Sequence, residues 1–185
     1  MKTISASENN IKEIIAALKN GAVLVLPTDT VYGLVCDAKN KKAVEKIFDI
    51  KDREKTKPLA VFVKSIEMAK EIAEINKPAE EFLKDSKTTV VVKAKDRRLS
   101  DLVYKDGTIG IRIPDYRFLN LILDEFNAPL AQTSANVSEG ALTEIAKIRF
   151  QFGSEEVLII DAGDLPKRNA SSIIDLTKDA IKIIR

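Results

Sequence analysis

Histidine is absent from this 185-residue chain, and cysteine occurs once, at Cys36. The first absence excludes zinc sites built on imidazole and any Ser-His or Cys-His nucleophilic machine. The second excludes an internal disulfide and a cysteine-cluster metal site. Long apolar runs are missing too: stretches such as 22–26 and 181–184 fall far short of the roughly 20 residues that span a bilayer, so no membrane segment is expected. The opening MKTISASENN has no apolar core behind its lysine, and a cytoplasmic location is expected. Aromatic residues make up only 5%, and 30 basic residues stand against 28 acidic ones. That balance supplies neither a stacking platform nor the bulk charge of a nucleic-acid binder. Chemistry must therefore run on lysine, arginine, carboxylates, hydroxyls, backbone amides or a hard cation.

Apolar residues at 45% and charged residues at 31% describe a globular chain, and its length suits one domain spanning 1–185. Ile11, Ile14, Ile15 and Leu18 fall at helical spacing before Asn20-Gly21. Residues 22–26 read as a buried strand. A second helix is expected over 41–50, with Asn40 as its cap. Strand 59–63, helix 66–75, a short helix opened by Pro78, strands 89–93 and 108–113, and a helix through Phe118, Leu119, Ile122 and Phe126 follow. Strand 130–133, helix 145–152 and strands 157–160, 172–176 and 180–184 complete the chain. Strands succeed one another without a helix near 89–113 and 157–184. The expected fold is accordingly α/β, a twisted mixed β-sheet with helices packed on it.

Several strand ends empty into polar chemistry. Pro27-Thr28-Asp29-Thr30-Val31-Tyr32-Gly33 follows the strand at 22–26 directly. Proline ends the ladder, and the hydroxyls and carboxylate can bond a ligand where open α/β sheets place them, or simply cap a turn with Tyr32 in the core. Lys51 and Arg53, followed by Lys55 and Lys57, suit a polyphosphate but equally suit a solvated helix end. Arg112 lies between Ile111 and Ile113 in a glycine-containing strand, so a guanidinium sits on an apolar element. It requires a carboxylate or phosphate partner, internal or ligand. Thr133-Ser134-Ala135-Asn136 and Asn169-Ala170-Ser171-Ser172 place further hydroxyls and an amide at strand termini.

In this order the segments resemble the YrdC family of threonylcarbamoyl-AMP synthases. Pro27 to Leu34 meets P-T-[ED]-T-x-Y-G-L, Lys51 and Arg53 meet K-x-R, and Pro58 to Val61 meets P-L-x-V. Arg112 to Pro114 meets R-[IV]-P, Ser134 to Asn136 meets S-A-N, and Ser171, Ser172 and Asp175 supply the late hydroxyl pair before an aspartate. The likeness covers nearly the whole chain.

The resemblance implies a deep basic cavity and three substrates, ATP with Mg2+, L-threonine and bicarbonate. Their product, threonylcarbamoyl-AMP, would pass to a tRNA threonylcarbamoyl transferase. It implies that Lys51 and Arg53 carry the catalysis and grip the phosphates, with Lys57, Thr108, Asn136, Thr143 and Arg185 near the nucleotide. Thr30, Tyr32, Arg112, Ser134 and Ser171 would hold threonine and bicarbonate, Arg112 pairing with the amino acid's carboxylate. The chain departs from the pattern at Asp85-Ser86-Lys87-Thr88-Thr89, where relatives read P-G-P-x-T. It departs also at Glu54, at Lys57, at Phe62 in place of a frequent histidine, and at Val137-Ser138-Glu139-Gly140. The short, single-domain form is expected. Two other readings stay open: a carbamoyl-adenylating module related to hydrogenase maturation, and a non-catalytic RNA-binding or ribosome-assembly module using Lys93, Lys95, Arg97 and Arg98 for weak RNA binding.

Overall fold

Alternating apolar residues and well-placed caps account for most of the elements in the computed structural model, which describes residues 2–136, 142–178 and 181–184. The strands are β1 (Lys2–Ser5), β2 (Val23–Leu26), β3 (Gly33–Asp37), β4 (Ala60–Phe62), β5 (Thr88–Lys93), β6 (Tyr104–Lys105), β7 (Thr108–Arg112), β8 (Leu130–Ser134), β9 (Val157–Asp161), β10 (Ser172–Asp175) and β11 (Lys182–Ile183). The helices are α1 (Ile11–Lys19), α2 (Lys41–Lys51), α3 (Ile66–Ile72), α4 (Lys77–Leu83), α5 (Arg117–Phe126) and α6 (Ile145–Phe152). Asn40 caps α2 by accepting from the Ala43 amide, and Asn76 caps α4 in the same way, with proline in its first turn. Helix α3 stops three residues earlier than its apolar spacing predicts. There Ala73 bridges to Ala94 and the Glu74 amide donates to Lys93, so sheet bonding replaces the next helical turn.

All eleven strands join one sheet in the order β1-β9-β2-β3-β8-β4-β7-β5-β10-β11, with β6 paired to β7. Pairing is mixed as expected: β1 and β2 run parallel to β9, β4 to β7 and β10 to β5, while β3, β8 and the β5-β7 pair are antiparallel. No helix among the described residues is long and apolar enough to cross a membrane.

Side chains alternate across a strand, and here the two faces receive different covers. One face presents Val23, Val25, Leu34, Val61, Val90, Ile109 and Ile111 to apolar side chains of α2, α3, α4 and α6. The other presents Leu24, Leu26, Val35, Leu130, Leu158 and Ile160 to Ile14, Leu18, Leu119 and Ile122 of α1 and α5. Farther along that second face, the pleat brings up Ala60 of β4, Thr89 of β5, Gly110 and Arg112 of β7, and Ile173 of β10. These line open space instead of meeting a helix.

Candidate active site

Two chambers share this uncovered stretch. The smaller, about 140 Å³, is walled by Thr28, Thr30, Tyr32, Thr89, Arg112, Ser134 and Ser171 among others. The larger, about 830 Å³, is walled by Arg53, Lys57, Lys93, Lys105, Thr108, Gly110, Asp175 and Lys178 among others. Arg53, Pro58, Ala60, Thr89 and Ile173 border both, so the two form one cleft with a polar end and a broader, net cationic end whose wall sets five cations against Glu74, Asp106 and Asp175.

At the polar end Arg112 is only 3% exposed. Its Nη2 donates to Asp29 Oδ1 at 2.5 Å, its Nε to the Ser86 carbonyl at 2.5 Å, and its Nη1 to Thr30 Oγ1 at 3.4 Å. The Phe62 ring lies 5.4 Å from the guanidinium. The partner that the sequence demanded is thus an internal acid, Asp29, itself buried. Such a pair survives burial because hydrogen bonds satisfy both partners. The Pro27 segment is rigid by its own bonding: Thr28 Oγ1 donates to the Val31 carbonyl at 2.7 Å and accepts from the Thr30 amide at 3.1 Å. Thr89 and Ser171 hydroxyls lie 3.2 Å apart in the opposite wall.

Tyr32 borders the chamber, but its hydroxyl donates to the Gly163 carbonyl at 2.7 Å and accepts from the Ala162 amide at 3.0 Å. Burial raises its pKa. Its phenol ties the segment after β9 to the floor of the site. At the cationic end, Arg53 Nε donates to the Lys57 carbonyl at 2.7 Å and its Nη2 to the Pro58 carbonyl at 3.2 Å, which sets the guanidinium at the border between chambers. Lys57 pairs with Glu54 at 3.3 Å.

Lys51 stands apart from both walls. Its Nζ donates to the Ser134 carbonyl at 2.7 Å, the Asn136 carbonyl at 2.6 Å and Asn136 Oδ1 at 2.8 Å. Burial, and then repulsion by Arg53, lower its pKa to about 8. The Ser134 hydroxyl donates to the same Asn136 Oδ1 at 2.7 Å.

The structure therefore brings Thr30, Tyr32, Arg112, Ser134 and Ser171 together around the small chamber, and Lys57 and Thr108 in the large one, with Arg53 between. Lys51 and Asn136 form a knot behind Ser134. Thr143 is buried, its carbonyl accepting from the Leu165 amide, and it lines neither chamber. Arg185 and the 137–140 segment lie outside the described residues, Thr143 just within them. Residues that local pattern did not single out also contribute. Ser86 supplies a carbonyl to Arg112, and Arg168 Nη1 donates to the Asp29 carbonyl at 2.8 Å. Arg168 belongs with Lys87 and Lys167 to a third hollow that opens beside Thr30. A carbonyl has no sequence signal, and Arg168 sits in a loop without periodicity.

A family model for Sua5/YciO/YrdC proteins, described as telomere recombination, matches residues 16–185. The threonylcarbamoyl-AMP synthase of Bos taurus is 33% identical over 176 residues, taking in 90% of this chain and 63% of that protein. The chain thus spans less than two thirds of the mammalian relatives it matches. A relative from Methanocaldococcus jannaschii is 33% identical over 196 residues, taking in 100% of this chain and 91% of that one. The crystal structure of P. abyssi Sua5 complexed with L-threonine is similar with a TM-score of 0.89 at 26% identity, over 100% of this chain and 56% of that chain.

Proposed function

The chain belongs to the Sua5/YciO/YrdC family, and on that footing we propose that it is a threonylcarbamoyl-AMP synthase acting on L-threonine, bicarbonate and ATP. The observation that carries the reading is the paired cleft: a small chamber ending in a buried arginine opens, past Arg53, into a broad chamber edged by cations. The first has the size and polarity for a small zwitterion. The second suits a triphosphate, because spaced lysines and arginines hold separate oxygens. The relative from P. abyssi, crystallised with L-threonine, supports an amino acid in the first.

On this reading threonine places its carboxylate toward Arg112, with Thr30, Ser134 and Ser171 lining the chamber around the rest of the amino acid. The amine and bicarbonate condense to N-carboxythreonine with loss of water. One oxygen of the new carboxylate then bonds to the α-phosphorus of ATP, the bond from that phosphorus to the β-phosphate bridging oxygen breaks, and pyrophosphate leaves. Substitution at phosphorus is mainly a matter of alignment and charge neutralisation. Arg53 at the border and Lys57 and Thr108 in the large chamber serve that purpose, and no step needs the missing histidine. The described residues hold no group of three or more carboxylate, thiol or imidazole ligands. Mg2+ would be carried largely by the phosphates, as is usual for this ion, and Glu74, Asp106 and Asp175 are the carboxylates in the wall of the large chamber. The product would pass to a tRNA threonylcarbamoyl transferase.

The test is pyrophosphate release by the purified chain with ATP and Mg2+. Release is expected only when threonine and bicarbonate are both present, and output unchanged by omitting bicarbonate refutes the proposal. Arg112→Ala, which removes charge-assisted contacts of about 1.5 to 3 kcal/mol, is expected to raise the threonine requirement by about ten- to a hundredfold.

A further inference from the structure

The knot at the end of α2 has a hydrogen-bond direction that its chemistry fixes. A lysine ammonium carries three N–H donors and no acceptor, so each oxygen within 2.8 Å of Lys51 Nζ must accept. The amide atom that Asn136 turns toward Lys51 is therefore its oxygen, not its nitrogen. The Ser134 hydroxyl, 2.7 Å from that same oxygen, has to donate to it. With its hydrogen committed there, Ser134 Oγ has only lone pairs left to offer the small chamber that Ser134 lines. A hydroxyl of that polarity recognises an N–H and repels a carboxylate. Lys51 lines neither chamber, and its three donors are all engaged, which leaves none for a phosphate oxygen in this arrangement.

We infer that Lys51 is a positioning residue: by holding Asn136 Oδ1 it fixes Ser134 as the acceptor for the amino group of the bound amino acid. The inference rests on the synthase reading of the small chamber and gives it a direction. The carboxylate of the amino acid lies at Arg112 on β7, and the amine, where the new carboxylate forms, lies at the end of β8. The depressed pKa of Lys51 fits a buried structural cation better than a solvated ligand for a polyanion.

Calorimetric titration of threonine into the full chain without nucleotide tests this, because a phosphate ligand has no part in that equilibrium. Lys51→Met is expected to weaken threonine affinity about tenfold or more, Ser134→Ala to do the same, and the double variant to be no weaker than either alone within about twofold, since residues acting through one another are not additive. Should Lys51→Met fail to fold, Lys51→Arg carries the test. Its longer planar fork keeps the charge but cannot place one nitrogen among three converging oxygens, so threonine affinity falls and ATP affinity stays. Wild-type threonine affinity in either lysine variant, or full additivity with Ser134→Ala, overturns the role of Lys51 alone. A wild-type chain that binds no threonine overturns the synthase reading and the acceptor role of Ser134 together.

Discussion

The two halves of a single sheet face obey the same pleat and do opposite things. Over β2, β3, β8 and β9 the face carries Leu24, Leu26, Val35, Leu130, Leu158 and Ile160, sealed under α1 and α5. Over β5, β7 and β10 the same face carries Thr89, Gly110, Arg112 and Ile173 and bounds a cleft. The border runs obliquely across strands: Leu130 of β8 and Phe62 of β4 are sealed while Ser134 and Ala60 of the same strands line the cleft, and Phe62 stands opposite Arg112 of β7 in register, ring against guanidinium at 5.4 Å. The site is thus made by leaving part of a regular sheet without its helix. On the proposed reading, stability and substrate recognition fall to neighbouring stretches of one surface.

The separation is broken most sharply at Asp29. Removing one partner of a buried ion pair leaves an uncompensated charge and costs about 3 to 5 kcal/mol, so Asp29→Ala is expected to lower the denaturant midpoint and, as Arg112 loses the acid that orients it, to weaken threonine binding no more than Arg112→Ala does. Leu119→Ala, in the sealed half, is expected to cost a comparable about 2 to 5 kcal/mol through its cavity. It is expected to leave the threonine and ATP KM values unchanged at a temperature where the variant is folded. A raised threonine KM in Leu119→Ala would show that the halves are coupled.

A smaller effect sharpens the comparison through pH. Below about pH 8 Lys51 is charged and serves all three of its oxygens. Above that it has two N–H groups and a lone pair, so threonine affinity is expected to fall severalfold between pH 7 and pH 9. In Lys51→Arg the residual affinity lacks this step, which separates it from titration of threonine itself. The stability trend has the other sign. An unfolded lysine holds its proton to about pH 10.4, so between about 8 and 10.4 the unfolded chain binds more protons than the folded one and the contribution of Lys51 to stability rises with pH. Denaturant midpoints across that window, wild type against Lys51→Arg, give the sign of the stability trend, and threonine titrations at pH 7 and pH 9 give the other.

Much of this was legible before any coordinates. The isoleucines on either side of Gly110 and Arg112 show by period alone that β7 carries an apolar face and a chemical one, and Asn40 and Pro78 mark the helix starts that are observed. What stayed hidden was non-local. Strand β1 reads Lys-Thr-Ile-Ser, and only its parallel pairing with β9, over 150 residues later, makes it a strand. Strand β3 begins at Gly33, inside the motif that reads as a turn. That Asp29 answers Arg112, and that Tyr32 spends its hydroxyl on Gly163 and Ala162, follows from contacts 83 and about 130 residues apart. The sequence motif joins Lys51 to Arg53 as two phosphate cations, yet a helix end separates them: Lys51 closes α2, Asp52 turns left-handed with φ of 46°, and Arg53 emerges on the chamber side.

The smallest effect is expected at Gly110, in the floor of the larger chamber. A Cβ there would meet Ala60 Cβ at 3.4 Å and Thr89 Cγ2 at 3.5 Å, ordinary contact distances, so the strand accepts Gly110→Ala without rearrangement. Restricting the unfolded chain is worth about 0.4 to 1 kcal/mol where the native backbone suits alanine, and the denaturant midpoint is expected to hold or rise slightly. The added methyl occupies space in the large chamber, which Gly110 lines, and not in the small one. The ATP KM is therefore expected to rise a few-fold while threonine affinity measured without nucleotide stays put. The opposite pattern, with threonine weakened and ATP untouched, would exchange the occupants of the two chambers and with them the direction in which the substrates face one another.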